Sequence, residues 1–483
     1  MKRFARGMQW AMQSLMLSLI VLSACSGGGE TGTGFSDTGQ DSNQSKTVVV
    51  GALANIGGDT IVVNGNAYDT GTSSIVVGNT SGSESDLAVG MVVEVGVEED
   101  ETSHQATATV IAFENEVEGI VLANDYPDSL DVMGQVVIVN NDTVFESHVS
   151  VVASIKDIRK RDHVEISGFP TEDGAIYATH VVVKADTAAD NQIIVKGNLA
   201  ALSADEHLFT LGNLRISYLD SSFAGGITAL KNGMPVKVVG HLGFKGNNNE
   251  VLFADQIFPL LNSGFQFAGT QIEIEGIAAT DLLVDEFSMR HLHVIATEVT
   301  AVVGGELSDI KRGKKLKVSG VIDNRGKLVA DAIVFMRLST ITLTAPIEEI
   351  DYTKKTITIF GKTFYVNADT GLRYRDISSM DVLHSLTDYS VGDPVEVKAY
   401  RDASAMGYIA TRLDAGISGT AFIMGQIDDV QNTMLTMKDI VIDVSRLPPG
   451  QFMPVDIGRR VALTIDYISG AAVLSASAYE YVD

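Results

Sequence analysis

Cysteine occurs once in 483 residues, at Cys25. Everything after it is therefore without disulfides, thiolate metal sites or a cysteine nucleophile. Tryptophan also occurs once, at Trp10, so the rest of the chain lacks the indole faces that commonly stack on sugar rings, although Tyr and Phe remain. No Lys or Arg stands between Lys46 and Lys156, while Glu84, Asp86, Glu94, Glu98, Glu99, Asp100 and Glu101 gather there. The whole chain carries a formal charge of −26. Affinity for phosphate comes mostly from Lys and Arg releasing counterions, so no nucleic acid is expected as a partner. The acidity reads as a solvating surface, or functionally as a face for a cationic partner or weakly held divalent ions. Catalytic signatures are missing too. There is no Gly-x-Ser-x-Gly elbow, no His-Glu-x-x-His helix, no phosphate loop ending in Lys-Ser or Lys-Thr, and no EF-hand loop.

What the chain does have is repetition. A turn residue followed by a strand with alternating apolar side chains appears six times. It reads Gly90-x-x-Val93-x-Val95, Arg161-x-x-Val164-x-Ile166, Gly233-x-x-Val236-x-Val238, Gly313-x-x-Leu316-x-Val318, Gly392-x-x-Val395-x-Val397 and Gly458-x-x-Val461-x-Leu463. Successive anchors lie 71, 72, 80, 79 and 66 residues apart, a period that predicts an array of small β modules.

The second repeat shows the order of elements. Val117 to Val121 reads as a first strand, Ser129 to Val132 with Gly134 as a second strand closing in a turn, and Gln135 to Asn140 as a third. Val151, Val152, Ile155 and Ile158 give the stretch from Ser150 to Lys160 a helical spacing. Val164 to Gly168 and Tyr177 to Val183 supply strands four and five. Three strands, a short helix or turn and two strands is the order of an OB-like barrel, a partly open five-stranded Greek key. The fold class expected is all-β, a tandem array of about six such barrels. Module boundaries fall at 47–115, 116–186, 192–259, 266–338, 340–414 and 417–483. The inward positions are Val, Ile and Leu, leaving Glu94, Lys237, Lys317 and Glu396 to point to water. A module of about 70 residues buries only some 60% of its unfolded surface, so neighbours are expected to support one another. A segmented rod or curved stack follows, with little freedom across the three residues between Phe113 and Val117 and longer joints at 185–191 and 259–264.

The amino terminus supplies an address. Lys2, Arg3 and Arg6 precede an apolar stretch from Trp10 to Ala24, too short to span a bilayer as a mature helix. It ends in Leu22-Ser23-Ala24-Cys25, which resembles the lipobox of bacterial lipoproteins. That resemblance implies a lipoprotein signal peptide over 1–24, diacylation of the Cys25 thiol, and a membrane partner reached through that lipid. Ser26 stands where the lipoprotein pattern has Asp for retention at the inner membrane, so the outer membrane is the expected place. Residues 25–46 have the composition of a flexible tether.

The repeated Val-Glu-Gly-Ile-like opening strand, Gly turn, Gly-x-x-Val-x-Val strand and Ala-containing last strand together resemble the domain of unknown function 5666 family. Its modules occur in tandem in bacterial envelope lipoproteins. The likeness covers nearly all of Val48 to Asp483, and it implies a fold and an address, with no activity or catalytic residue to transfer. Arg161, Pro346 and Ala399 depart from the expected Gly.

Candidate chemistry is thin. His291-x-His293 could share one strand face with Asp285 and Glu286 nearby as further metal ligands, against the plainer reading of surface histidines. His148, His163 and His180 fall in one repeat but on different elements. Glu98-Glu99-Asp100-Glu101 reads as a solvated hairpin tip, and Asp428-Asp429 and Glu348-Glu349 as turn carboxylates. No catalytic residue, metal site or cofactor is assigned. The function expected is a non-enzymatic, lipid-anchored cell-envelope protein, its array acting as scaffold or binding surface for an envelope protein or an oligomeric ligand, with the outward face of strands such as Ile61 to Val63 as the place of contact. The alternative is a metal-dependent receptor or hydrolase with its site in the longer fourth or fifth module, where Ser378 to Ser390, including His384, could overhang a pocket.

Overall fold

In a computed structural model, residues 47–482 are described except 79, 100–105, 150–151, 153, 172–173, 185–191, 246–248, 261–267, 291, 375–384, 403–406, 416–419 and 469–472. Alternation of apolar and polar residues makes strands, and the strands close into barrels. In the first module, Thr47–Ile56 pairs antiparallel with Thr60–Val63, which pairs with Asn66–Asp69. The third strand meets Ala106–Phe113 in parallel, and that strand returns through Val92–Glu99 to the first. This order, 1-2-3-5-4-1, is the ring of an OB-like barrel. The second and third modules close in the same way. In the fourth, a single bridge between Ala278 and Met289 joins the first strand to the second. In the fifth, the first strand Ile341–Pro346 breaks and resumes at Glu349–Asp351. The sixth breaks at the same place without a proline, Phe422–Gln426 resuming at Asp429–Gln431.

The sixfold phrase is a clasp between strands one and four. The N–H of Gly90, Arg161, Gly233, Gly313, Gly392 and Gly458 donates to Leu53, Val121, Leu199, Ala278, Ile347 and Ile427 respectively, at 2.7–2.9 Å. The same six residues of the first strand each donate back, one position further along the turn, at 2.8–3.0 Å. The turn residue has φ between +83° and +97° in the five glycine copies, and Arg161 takes φ +78°. The departure at Arg161 therefore keeps the turn and accepts a left-handed backbone that costs a side chain energy.

A second device recurs in the fifth strand, where each barrel has one extra residue opposite the fourth strand. In five modules a hydroxyl after the third strand, or within it in the fourth module, donates to the alanine carbonyl at this bulge. Ser73 reaches Ala108, Thr143 reaches Ala178, Ser222 reaches Ala254, Thr300 reaches Ala330 and Thr370 reaches Ala410, at 2.5–2.9 Å. The facing residue is often Gly for want of room: a Cβ on Gly320 would lie 2.0 Å from the Val329 carbonyl oxygen. Ala399 takes that place in the fifth module with its methyl fully buried.

The helical spacing of Ser150 to Lys160 gives one 3-10 turn, Ile155–Asp157. The Asp157 carboxylate accepts the Ser154 N–H at 3.0 Å and Ile158 is already extended, so no second turn forms. Val152, Ile155 and Ile158 are nonetheless buried in the barrel core, so their apolar pattern marks a plug rather than a helix.

Barrels join through first strands. The half of the first strand not used by the second strand is an open edge, and exposed edges invite pairing. Thr47 to Val50 pair in parallel with Gln271 to Ile274, joining modules one and four. Val117 and Glu118 pair with Val195 and Ile194, joining two and three. Ile341 to Thr344 pair with Gly425 to Phe422, joining five and six. All six of these edges are thereby used within the chain. Module two touches each of the others: Ser167 Oγ accepts the Val92 N–H, Gln135 donates to Leu211 O, the Lys315 ammonium lies over the Phe169 ring, Arg373 pairs with Glu146, and the Tyr126 hydroxyl donates to Val482 O. The expected rod or sequential stack is replaced by barrels grouped around the second.

This grouping corrects the expectation for the outward side chains of strand four. Lys237 and Glu396 are buried at 3% and 6% exposure. Glu94 Oε1 is buried without a hydrogen-bond partner, and burial raises its pKa. Lys317 donates to Asn64 O of module one at 2.8 Å. The polar face of the strand meets a neighbouring barrel where water was expected.

Candidate functional site

The densest polar chemistry lies where module two meets module five. The loop after the third strand of module two, Asn140-Asn141-Asp142-Thr143, is held by its own side chains: Thr143 Oγ1 accepts the Asn140 N–H and Asn140 Oδ1 accepts the Asp142 N–H. Asn367-Ala368-Asp369-Thr370 repeats these bonds in module five. So braced, Asp142 accepts the Thr411 hydroxyl at 2.7 Å and the Ser339 N–H at 2.8 Å. Arg412 donates to its carbonyl at 2.9 Å, and Lys398 donates to the Asn141 carbonyl at 2.5 Å.

Behind the loop runs a buried ionic chain. Asp414, 1% exposed, sits 2.9 Å from Arg373 and 3.1 Å from Arg412. Arg373 also reaches Glu146 at 2.9 Å, and Glu146 pairs with the His180 ring at 3.1 Å. Against burial, which raises it, the Arg373 and Arg412 guanidiniums hold the Asp414 carboxyl at about 2. Glu146 likewise titrates below the ordinary range despite burial, through its bond to His180 and the charge of Arg373. Burial and the nearby Arg412 push the Lys398 ammonium down to about 8.

Beside this chain, modules one, two, four and five line a half-open pocket of about 260 Å³. Phe169, Tyr177, Phe335 and Tyr400 line it together with Asn64, Lys315, Glu275 and Asp369. Lys315 is committed to Glu275 at 2.6 Å, and Glu275 also accepts the Ala52 N–H at 3.0 Å. Gly65 brings the first module against the fifth, since a Cβ there would lie 2.6 Å from Asp369 Oδ1. Gly90 seals another wall, where a Cβ would lie 2.8 Å from Thr179 O.

The histidines do not converge. His180 bonds Glu146, His163 lies 3.9 Å from Glu118, and His148 is exposed on a loop. His293 is exposed, Glu286 pairs with Lys327 at 2.5 Å, and His291 lies outside the described residues. Among the described residues no group of three or more His, Cys, Asp or Glu could hold a metal ion. Asp428 pairs with Lys438 and Asp429 with the Gln431 amide, each at 2.7 Å, while Glu348 accepts the Gly361 N–H at 2.8 Å, so these carboxylates serve turns. Ile61 and Val63 face the barrel interior and only Val62 looks outward. Cys25, His384, Asp100 and Glu101 lie outside the described residues. No helix among the described residues is long and apolar enough to cross a membrane.

The profile of one family, Domain of unknown function (DUF5666), matches residues 50–112, 118–182, 269–334 and 344–414. The chain belongs to the DUF5666 family. Its four matched stretches are those whose barrels line the pocket; the third and sixth modules are unmatched. No curated protein matches the chain. Among solved structures, drosophila Unr CSD456 aligns at 14% identity over 47% of this chain and 97% of its own, with a TM-score of 0.12. A deletion mutant of the single-stranded DNA binding protein from Thermus aquaticus aligns at 14% identity over 49% and 94%, with a TM-score of 0.09.

These neighbours correct the partner expectations. A single-stranded DNA binding protein stands among them, so the exclusion of nucleic acid drawn from net charge is withdrawn. Net charge is a sum over the whole surface and does not fix the character of one face. At such TM-scores the likeness carries no argument for nucleic-acid binding by this chain. The expected membrane partner, envelope protein and oligomeric ligand gain no support from these matches.

Proposed function

We propose that this DUF5666 chain is a non-enzymatic scaffold of the bacterial cell envelope, lipid-anchored through Cys25 at the outer membrane. The observation that supports it is the mutual locking of six barrels. Each first-strand edge is taken by another barrel, and module two is bonded to all five others. Such an array holds distant surfaces at fixed separations, which is a scaffold's task, and a tether of about 20 residues would set it off from the lipid. The lipobox-like Leu22 to Cys25 supports the address.

Two measurements test the reading. Full-length protein expressed in a lipoprotein-processing bacterium incorporates labelled palmitate and enters the detergent phase, whereas Cys25→Ala does neither; an unlabelled wild type refutes the anchor. In the Cys25→Ala background, spin labels placed by Asp205→Cys and Gln431→Cys on modules three and six give one narrow distance distribution. A broad or multi-peaked distribution refutes the rigid scaffold.

A further inference from the structure

We infer that the chain pairs with a second copy of itself through an open strand edge of module four, Ala301 to Val303. The inference goes beyond the scaffold reading and does not depend on it. Modules one, two, four and five each run a short strand in parallel with the fifth strand, Ser74–Val77, Val144–Ser147, Ala301 to Val303 and Gly371–Tyr374. Three of the four are covered within the chain. In module one Ser81 and Thr80 pair back onto Val76 and Val77, and the strands of modules two and five lie against module one, at Gly90 and Val89. In module four the chain turns away through Gly304 and Gly305, and among the described residues Ala301 to Val303 pair with Ala332 to Val334 alone. The backbone groups of the other edge are therefore open to a partner strand.

The side chains on this edge invert the usual pattern. Val299, Ala301 and Val303, on alternate positions, are all exposed, Val299 at 90%. No charged residue interrupts the run from Val299 to Gly305, although edges left to water commonly carry one. At the same end of the barrel, where the Ala296 N–H donates to Asp285 O, the turn between the first two strands presents Leu283 and a fully exposed Val284. Val284 has φ +61°, at the place where the turn of module one, closed by the same two bonds, has Gly58. A β-branched residue held left-handed in water costs the isolated chain stability, which points to a use outside it. The loop leading into the edge is the chain's own docking device. Thr300 Oγ1 accepts the Thr297 N–H and Thr297 Oγ1 accepts the Val299 N–H, the bracing already seen at 140–143 and 367–370. Val299 thus stands where Asp142 grips module five and Asp369 meets module one.

A partner for this edge must offer an open strand with apolar outward side chains, and a second copy offers one. Antiparallel pairing about a two-fold axis at Ala301 sets Val299 opposite Val303 and Glu298 opposite Gly304, so the acids of the two copies do not face one another. The exposed charges around the edge, Asp285, Glu298, Glu306 and Asp331, are acidic, and each chain carries −26, so association tightens as salt screens them.

Sedimentation equilibrium of the chain from Ser26 onward, which keeps all six barrels and contains no cysteine, tests this at rising salt. The expected result is a monomer–dimer equilibrium that tightens with salt and is weakened about ten-fold or more in Val299→Lys and in Val303→Lys. Under mild oxidation Ala301→Cys gives a disulfide-linked dimer and Asp205→Cys, on module three, does not. Thermal melting checks that each variant is folded; should one lysine variant not fold, the other and the cross-link decide. A monomer at every salt, a dimer unchanged in the folded lysine variants, or equal cross-linking through Asp205→Cys overturns the inference.

Discussion

Replacing Arg373 by Met removes the link between two carboxylates that belong to different barrels. Arg373 is 7% exposed and spans from Asp414 in module five to Glu146 in module two, at 2.9 Å to each. Breaking a buried ion pair by deleting one partner costs about 3–5 kcal/mol, because the other charge is left in a medium that solvates it poorly. Here each carboxylate keeps a second partner, Arg412 or His180, which places the expected loss near the lower end, about 3 kcal/mol. With urea slopes of roughly 1–3 kcal/mol/M, the midpoint of the module two and five transition falls by about 1–3 M. The pH dependence follows with its own sign. Asp414 has a depressed folded pKa, so its contribution is fully present above the unfolded value of 3.8 and is lost as pH falls through about 2. That difference corresponds to on the order of 2–3 kcal/mol in the native chain and should shrink in Arg373→Met, which removes one of the two guanidiniums. Urea unfolding followed by far-UV circular dichroism at pH 7 and pH 3 measures both effects. Equal midpoints for wild type and variant at pH 7, or an undiminished acid loss in the variant, would refute the account of this junction as a buried ionic lock.

The turn clasp makes a paired prediction. Gly392 has φ +93° and open space around its Cα, so Gly392→Ala tests backbone strain alone and should lower stability by about 1 kcal/mol, while Arg161→Gly, relieving the same strain at φ +78°, should raise it by about as much; thermal melts that move the same way for both would contradict the strain. Thr143 is fully buried and its hydroxyl binds the Ala178 carbonyl at the bulge. Thr143→Val should cost about 1–2 kcal/mol and speed amide exchange in the fifth strand of module two, and unchanged exchange there would remove the hydroxyl from the barrel's closure.

Much of the barrel was legible in the primary structure because its determinants are local. Period-two alternation at Val93 and Val95, both fully buried, fixes which side of the fourth strand is inside. A residue ahead of that strand fixes the turn, and Arg161 shows that the position outlasts the glycine. What lay beyond reach depends on which barrel sits against which. Glu94, Lys237, Lys317 and Glu396 alternate with the core residues as solvent-facing side chains would, and nothing local distinguishes a polar face toward water from one toward another barrel. The ionic chain has the same character: Glu146 and Arg373 are 227 residues apart and neither belongs to a motif. One signal was available. The Asn-x-Asp-Thr spacing recurs at Asn140 to Thr143 and at Asn367 to Thr370, and a repeated polar loop outside the apolar phrase points to a task other than core packing.

Family likeness and position agree in a way that bears on how the array is built. Modules one, two, four and five match the DUF5666 profile and line the pocket, whereas three and six do neither. Each unmatched barrel is joined by its first strand to the matched barrel just before it in sequence, three to two and six to five. Modules one and four, in contrast, pair with each other in parallel across more than two hundred residues. A barrel at the junction answers to neighbours on several faces, so its loops and outward strand residues are constrained along with its core. An outer barrel must supply a first-strand edge and a closed ring, requirements met by many apolar combinations. Divergence of the third and sixth modules is thus the expected consequence of their place, and it puts the chain's particular chemistry in the four barrels that kept the family pattern.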